Sequence, residues 1–350
     1  MSSQVKRNTS HCKILKELTG GIILLKNAHR LFGFLLCLNV VGVAAEFPQA
    51  DITNGSIRAT LYLPNQESGY YRGGRFDWSG VIARLEYAGH NYFGVWFPRY
   101  DPTLHDAITG PVDEFRSQDG GLGYAEAQPG DFFVKIGVGV LRKLDNEPYQ
   151  FARPYPIINH GKWIIRPGRD RVEFVQELTG VRGYKYVYTK TVRLASGQPE
   201  LILEHTLKNT GKRVIETEVY NHDFYVIDKQ PTGPDFQVKF PFQAKATDDL
   251  KGLAEVRGDT LVYLRELRDT PKESAATYIQ GYGSEVKDND IRVENSKVKA
   301  GVREIGDHPL SKLYFWSIRT TVCPEAYIAL RVAPGKKVSW KIRYQFYTLP

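Results

Sequence analysis

Two polar side chains within otherwise apolar strand-like segments are the residues of this sequence best suited to chemistry. His222 ends one such segment and is flanked by aromatic residues, and Glu325 lies in an apolar run near the C-terminus. An imidazole and a carboxylate that meet on one face of a sheet can act as a general acid and a general base. Should the fold bring His222 and Glu325 to one cleft, roughly 5–8 Å apart, they could bracket a bound substrate; a structural, hydrogen-bonded histidine is the alternative.

Other common catalytic and cofactor patterns are absent from the sequence. No glycine-rich dinucleotide loop follows a strand, and the P-loop, the His-Glu-x-x-His zinc motif and the Gly-x-Ser-x-Gly nucleophile motif do not occur. The histidines after residue 45 show no tight metal-ligand spacing. We therefore expect neither a metal nor an organic cofactor.

The elements that must position the pair are predicted to be strands. From residue 50 onward apolar and polar residues alternate, most clearly where Val338, Trp340, Ile342, Tyr344 and Phe346 are separated by polar residues. Helical signals are limited to short turns at 248–256 and 264–270. The pattern predicts an all-β fold, a large antiparallel sandwich with few short helices that forms one domain over residues 46–350.

Several charged residues are predicted to be exposed to solvent. The stretch 101–131 is rich in Gly, Pro and Asp and is predicted to form long loops, in which Asp113, Glu114 and Arg116 are solvated. Lys190 is assigned to an exposed polar strand face. Arg75, Asp77 and Trp78 could instead line a binding site, with the arginine donating hydrogen bonds to a ligand and the indole stacking on a ring of it; edge packing and a surface ion pair are the alternative.

The first 45 residues are predicted to be a cleaved secretory leader. A basic stretch precedes an apolar run at 31–44, and small residues suit cleavage before Glu46. The run is too short to span a bilayer comfortably, although a buried N-terminal helix is the alternative. We expect an exported, periplasmic or secreted protein with no membrane attachment after cleavage, and with Cys323 as its only cysteine, so without an intrachain disulfide.

Charge does not favour a nucleic-acid partner. The formal net charge is +8, but the leader holds +5 of it, and the remaining charges are mixed in sign. The hydrophobic fraction of 42% is ample for a packed core, so a folded domain is expected.

Two segments resemble the aldose 1-epimerase, or galactose mutarotase-like, superfamily. In the first, a Lys-Asn-Thr-Gly turn at 208–211 precedes a strand that ends in the Asn-His step of His222. In the second, the Val-Cys-Pro-Glu step that ends at Glu325 is followed by a Pro-Gly turn and Trp340. The Gly-rich segment 73–85 is similar to the opening strand pair of that family more loosely.

The resemblance implies a β-supersandwich that presents a carbohydrate site on one concave face. It implies that His222 is the general acid and Glu325 the general base of anomer interconversion, with a monosaccharide or oligosaccharide as partner. A second family histidine corresponds to His160, although Lys162 stands where that family's loop has another glycine.

Three functions remain open on the sequence. The first is an aldose 1-epimerase, and the second is a carbohydrate-binding module without catalytic activity on the same scaffold. The third is an accessory sandwich of glycan-degrading machinery, although the chain has no room for a catalytic helical domain. One fold hosts several functions, so only the site can separate them.

Overall fold

The computed structural model describes residues 47–117 and 119–350. The predicted leader lies outside the described residues, so its cleavage and the export of the protein stay predictions. No helix among the described residues has the length and apolar character needed to cross a lipid bilayer.

The described chain is built almost entirely of β-strands. They are β1 (Gln49–Thr53), β2 (Ile57–Tyr62), β3 (Val81–Tyr87), β4 (His90–Asn91), β5 (Val112–Arg116), β6 (Phe132–Lys135), β7 (Gly139–Arg142), β8 (Ile157–Asn159), β9 (Lys162–Pro167), β10 (Arg171–Thr179), β11 (Lys185–Leu194) and β12 (Glu200–Asn209). The second half contains β13 (Ile215–His222), β14 (Phe236–Lys239), β15 (Lys245–Ala246), β16 (Ala254–Arg257), β17 (Thr260–Tyr263), β18 (Ser274–Gln280), β19 (Asp290–Asn295), β20 (Ala300–Gly306), β21 (Lys312–Ile318), β22 (Thr321–Val332) and β23 (Lys337–Thr348).

These strands form two large and two small sheets. The largest has ten strands in the order β16, β17, β14, β19, β20, β23, β12, β11, β10, β9. The second has six strands in the order β15, β18, β21, β22, β13, β5. Strands β1 to β4 and β6 to β8 form the two small sheets. The predicted all-β fold is confirmed.

Alternating burial along the strands explains how the two large sheets pack. On β23 the predicted set Trp340, Ile342, Tyr344 and Phe346 is buried, as a strand with one face in a core requires. Residues of the six-stranded sheet such as Phe315 join residues of the ten-stranded sheet in one apolar core. The sandwich core therefore lies between the two large sheets.

The predicted short helical turns are wrong. Residues 248–253 form bends and turns, and 254–257 is strand β16. The only helical segments of the described chain are two three-residue 3₁₀ turns, Ile227–Lys229 and Val286–Asp288. Neither segment has an apolar period long enough to sustain a helix.

The loop prediction for 101–131 is also wrong in its centre. Residues Val112–Arg116 form β5, which pairs with β13, and Asp113 and Glu114 have no exposed surface. Five residues are too few to show a strand period when charged side chains occupy both faces. This strand supplies buried carboxylates on both faces of the six-stranded sheet.

One of those carboxylates belongs to a charge network sealed between the sheets. Lys190, predicted to be exposed, is fully buried, and its Nζ lies 2.6 Å from Asp113 Oδ2 and 3.8 Å from Asp77 Oδ2. His205 Nε2 lies 3.3 Å from the same Asp113 oxygen. Tyr188 donates to Asp77 at 3.1 Å. The lysine is tolerated in the core because two carboxylates surround it.

A second buried polar group consists of two carboxyls. Asp223 follows β13, Glu304 lies on β20, and both side chains are almost completely buried. Tyr344 donates to Asp223 at 2.9 Å. Burial raises the pKa of Glu304 to about 7, and burial followed by Glu304 raises the pKa of Asp223 well above its ordinary value. Asp223 is therefore protonated at neutral pH, beside a second carboxyl that ionises only with difficulty.

This pair should make the domain less stable as pH rises. The folded-state pKa of Glu304 is above its unfolded value. Its contribution to the free energy of unfolding is therefore fully present below pH 4.5 and is lost as pH rises through about 7. At pH 8 we expect the free energy of unfolding of Glu304→Gln, measured by urea unfolding, to exceed that of the wild type by roughly 2 kcal/mol. At pH 5 the two proteins should be equally stable. The exposed Glu177→Gln on β10 is the control, and an equal gain at both pH values would contradict the raised pKa of Glu304.

Candidate functional site

Strands β13 and β22 carry the predicted pair on one face of the six-stranded sheet. Successive side chains of a strand point to opposite faces, and Val219 of β13 packs in the sandwich core against residues of the ten-stranded sheet. The alternate residues of β13 therefore point away from that core; they are Glu216, Glu218, Tyr220 and His222. We call this side of the six-stranded sheet the site face.

The structure brings His222 and Glu325 into direct contact. Nε2 of His222 lies 3.4 Å from Oε1 of Glu325, although 102 residues separate them in sequence. This is closer than the expected 5–8 Å, and both side chains are only about 5% exposed. Tyr327 donates to the second oxygen of Glu325 at 3.0 Å. The two groups share a face as predicted, but because their side chains are in contact there is no room for a pyranose between them in this conformation.

Cys323 holds the other side of the imidazole. Its Sγ lies 2.7 Å from Nδ1 of His222 and accepts the backbone N–H of Phe224 at 2.8 Å. The Phe224 ring stacks on His222 with 3.7 Å between centroids. Phe224 has a φ of 46°, which is uncommon for a residue with a side chain and aims its N–H at the sulfur. The imidazole is thereby fixed in orientation.

Arg75 lies beside the pair in a network of its own. Its Nε donates to Glu114 at 2.8 Å, its Nη1 to Asp106 at 2.5 Å and its Nη2 to Tyr220 at 3.3 Å. The guanidinium lies between two rings, 4.2 Å from the centroid of Phe151 and 4.4 Å from that of Phe76. A group that donates in several directions from a fixed plane suits recognition of hydroxyl oxygens.

Burial sets unusual protonation states in this cluster. It raises the pKa of Glu325 to about 8, against the opposing charge of Arg75. It also lowers the pKa of His222 well below 6.5, and Arg75 lowers it further. Burial alone would raise the pKa of Glu114, but Arg75 and Lys135 outweigh it and hold the value at about 2. At neutral pH the pair is therefore a neutral imidazole beside a protonated carboxyl, while Glu114 is ionised.

The remaining predicted site residues lie elsewhere. Asp77 is fully buried in the network with Lys190 between the sheets and makes no contact with the pair. Trp78 and His160 lie together, with ring centroids 4.7 Å apart, at a separate cavity of about 310 Å³. Of the four predicted substrate-binding residues, the structure places Arg75 alone in the same cluster as His222 and Glu325.

A large cleft lies further along the site face. It measures about 1050 Å³ and is not lined by His222 or Glu325. The residues of the site face that line this cleft are Arg116, Glu216, Glu218, Tyr278, Lys312 and Arg331. Glu218 lies on the same face of β13 as His222. The open cleft and the buried pair thus occupy two parts of one surface.

Sequence reasoning missed Glu114, Tyr220 and the contact made by Cys323. Glu114 was placed in a loop, so its ion pair with Arg75 was not foreseen. Tyr220 lies two residues before His222, and this period of two was the signal that it shares the face. Cys323 lies two residues before Glu325 in the same way.

Comparisons with known proteins support the fold. No protein-family model matches the sequence, and no curated protein matches it. A galactose mutarotase related enzyme from Lactobacillus acidophilus superposes with a TM-score of 0.54 at 12% identity, covering 86% of this chain and 97% of its own. A GalM/aldose epimerase homologue from C. elegans gives 0.53 at 12% identity, covering 86% and 99%. A protein from Synechocystis gives 0.54 at 13% identity, covering 87% and 96%. The chain therefore has the galactose mutarotase-like fold that the sequence resemblance implied.

Proposed function

We propose that this protein interconverts the anomers of a free sugar, as an aldose 1-epimerase, on the site face. The observation that carries the proposal is the convergence of His222 and Glu325 beside Arg75. Two proton-transferring groups with strongly shifted pKa values in one cluster are typical of catalytic sites. The similarity of fold to mutarotase-related proteins supports the same substrate class.

The protonation states suggest how the first step proceeds. We assign the proton of the neutral imidazole to Nδ1, which lies 2.7 Å from Cys323 Sγ, because this tautomer leaves Nε2 free to accept a proton. Glu325 donates its proton to the ring oxygen of the sugar while Nε2 takes the proton of the O1 hydroxyl. The C1–O5 bond breaks and the open-chain aldehyde forms. This assigns the first donation to Glu325, the reverse of the roles that the resemblance implies.

Ring closure on the other face of the aldehyde completes the reaction. After rotation about C1–C2, His222 returns its proton to O1 and Glu325 recovers its own from the O5 hydroxyl as the C1–O5 bond forms again. Each positioned proton transfer contributes roughly 10²–10⁴-fold. The charge of Arg75, fixed by Glu114, is available to orient the sugar hydroxyls.

Access to the pair requires movement of side chains. Phe151 covers the guanidinium of Arg75 and is 40% exposed, and Asp106 is the outer partner of the same guanidinium. These two residues lie on segments without regular secondary structure. We propose that a sugar enters by displacing them.

A second candidate is carbohydrate binding without catalysis. It is favoured by one observation: His222 is buried and hydrogen-bonded to Cys323, as a structural histidine would be. In that case the open cleft alone would bind sugar, and His222 and Glu325 would serve the packing of β13 against β22.

The two candidates are separated by polarimetry of freshly dissolved sugars. The full chain should accelerate mutarotation of at least one of glucose, galactose, mannose and xylose. Isothermal titration of the same sugars serves as the binding measurement. Binding of a sugar without any acceleration would refute the epimerase and establish the binding function.

A further inference from the structure

The cleft on the site face has a geometry that the reaction of a monosaccharide does not require. Its volume of about 1050 Å³ is at the upper limit of cavities that enclose a whole drug-sized ligand. It opens to solvent, whereas His222 and Glu325 are almost completely buried. A free aldose held at the pair would leave the cleft empty.

A row of aromatic side chains leads from the pair to the cleft. Glu325 on β22 is directly opposite Tyr314 on β21, and Tyr314 is opposite Tyr278 on β18. Residues opposite each other on neighbouring strands share a face, and strands are about 4.8 Å apart, so Tyr278 lies roughly 10 Å across the sheet from Glu325. The rings of Tyr278 and Tyr314 are 4.9 Å apart, and Tyr278 is 46% exposed.

The charges that line the cleft sum to zero, and six of the eight form ion pairs with one another; the other two are Arg116, whose Nε lies 3.7 Å from Glu114, and Asp119. Lys312 Nζ lies 2.8 Å from Glu218, and Arg331 Nε lies 2.6 Å from Glu216. On the opposite wall Arg213 forms two hydrogen bonds with Glu126. Paired ions offer donors and acceptors to hydroxyl groups, but they leave no net positive charge to attract a phosphate or a uronic acid.

We propose that the cleft binds the chain of a neutral oligosaccharide whose reducing-end unit reaches His222 and Glu325. The inference rests on the proposed function, because it places the reacting unit at that pair. Tyr278 and Tyr314 provide apolar ring faces for the sugar units that follow, and the ion pairs hydrogen-bond their hydroxyls. The substrate class is thus an uncharged glycan fragment rather than a sugar phosphate.

The test is the dependence of affinity on chain length. Isothermal titration is performed on the full chain with glucose, galactose and mannose and with the neutral β-1,4- and α-1,4-linked oligomers of two to five units. Affinity should rise about tenfold or more from the monosaccharide to the tetrasaccharide of the preferred series. Glucose 6-phosphate and a galacturonic acid tetramer should bind no more tightly than the neutral sugars.

Tyr278→Ala should remove the gain with length and leave the mutarotation of the monosaccharide unchanged. Gln280→Ala, two residues further along the same face of β18 and outside the cleft, is the matched control and should behave as the wild type. Affinity that does not depend on length, tighter binding of an anionic probe, or no binding of any oligomer would overturn the proposal.

Failure of this inference is distinguishable from failure of the proposed function. If monosaccharides undergo mutarotation but affinity does not increase with oligosaccharide length, the cleft proposal is refuted and the epimerase proposal stands. A gain with length that Tyr278→Ala abolishes, without any mutarotation, would support the cleft as a binding site and refute the catalytic role of the pair.

Discussion

Glu325→Gln should lower the rate of anomer interconversion by roughly 10²–10⁴-fold while the sugar still binds. Glutamine keeps the size of the side chain and can still accept the hydrogen bond of Tyr327, but it cannot carry and return a proton. The rate is measured by polarimetry and the binding by isothermal titration. Thermal unfolding should be little changed at pH 6, because at that pH the wild-type carboxyl is already neutral.

The matched control is Glu216→Gln, which changes an exposed carboxylate on the same sheet face. It should retain the mutarotation rate of the wild type. His222→Asn should be about as inactive as Glu325→Gln, and the double variant little worse than either, since residues that act as a unit are not additive. Wild-type activity in Glu325→Gln would show that the proton is transferred elsewhere.

Lys190→Met should be the most destabilising of the substitutions considered, with a loss of about 3–5 kcal/mol in the free energy of unfolding. Methionine fills a similar volume but leaves Asp113 ionised and without its closest cation in a site with no solvent exposure. Urea unfolding at pH 7 measures the loss. Burial raises the pKa of Asp77 to about 6 even with Lys190 present, so this carboxyl can become neutral more readily than Asp113.

Lys185→Met on the same strand is the control, because that lysine is exposed. Its effect should lie within about 0.5 kcal/mol of zero. A loss below 1 kcal/mol for Lys190→Met would mean that Asp113 takes up a proton or water once the lysine is removed, and that the buried ion pair contributes little net stability.

The comparison of sequence and structure shows what patterns can and cannot reveal. The alternation along β23 was sufficient for the fold class, whereas the expectation that His222 and Glu325 share a face depended on the resemblance to a known family. Such periodicity reports which face of a strand is apolar. It carries no information about the distance between two strands far apart in sequence, so the close contact of the pair was not predicted.

The errors share a physical cause. Lys190 was assigned to an exposed polar strand face, and an isolated lysine is indeed almost never fully buried. It is buried here because Asp113 comes from β5, a strand that the sequence did not reveal. Missing that short strand also removed Glu114 from the site. Charged residues that neutralise one another across a sheet cannot be recognised as core residues until their partners are known.

The buried thiol of Cys323 can report on the opening of the site in solution. It is the only cysteine among the described residues and its thiol is fully inaccessible behind His222 and Phe224. Burial raises the pKa of this thiol well above its ordinary value, so little reactive thiolate forms in the closed state. Once the predicted leader is removed, a thiol reagent would therefore react with Cys323 only when His222 and Phe224 move away from its sulfur. The rate of that modification would time the opening of the site directly, without any label or substitution.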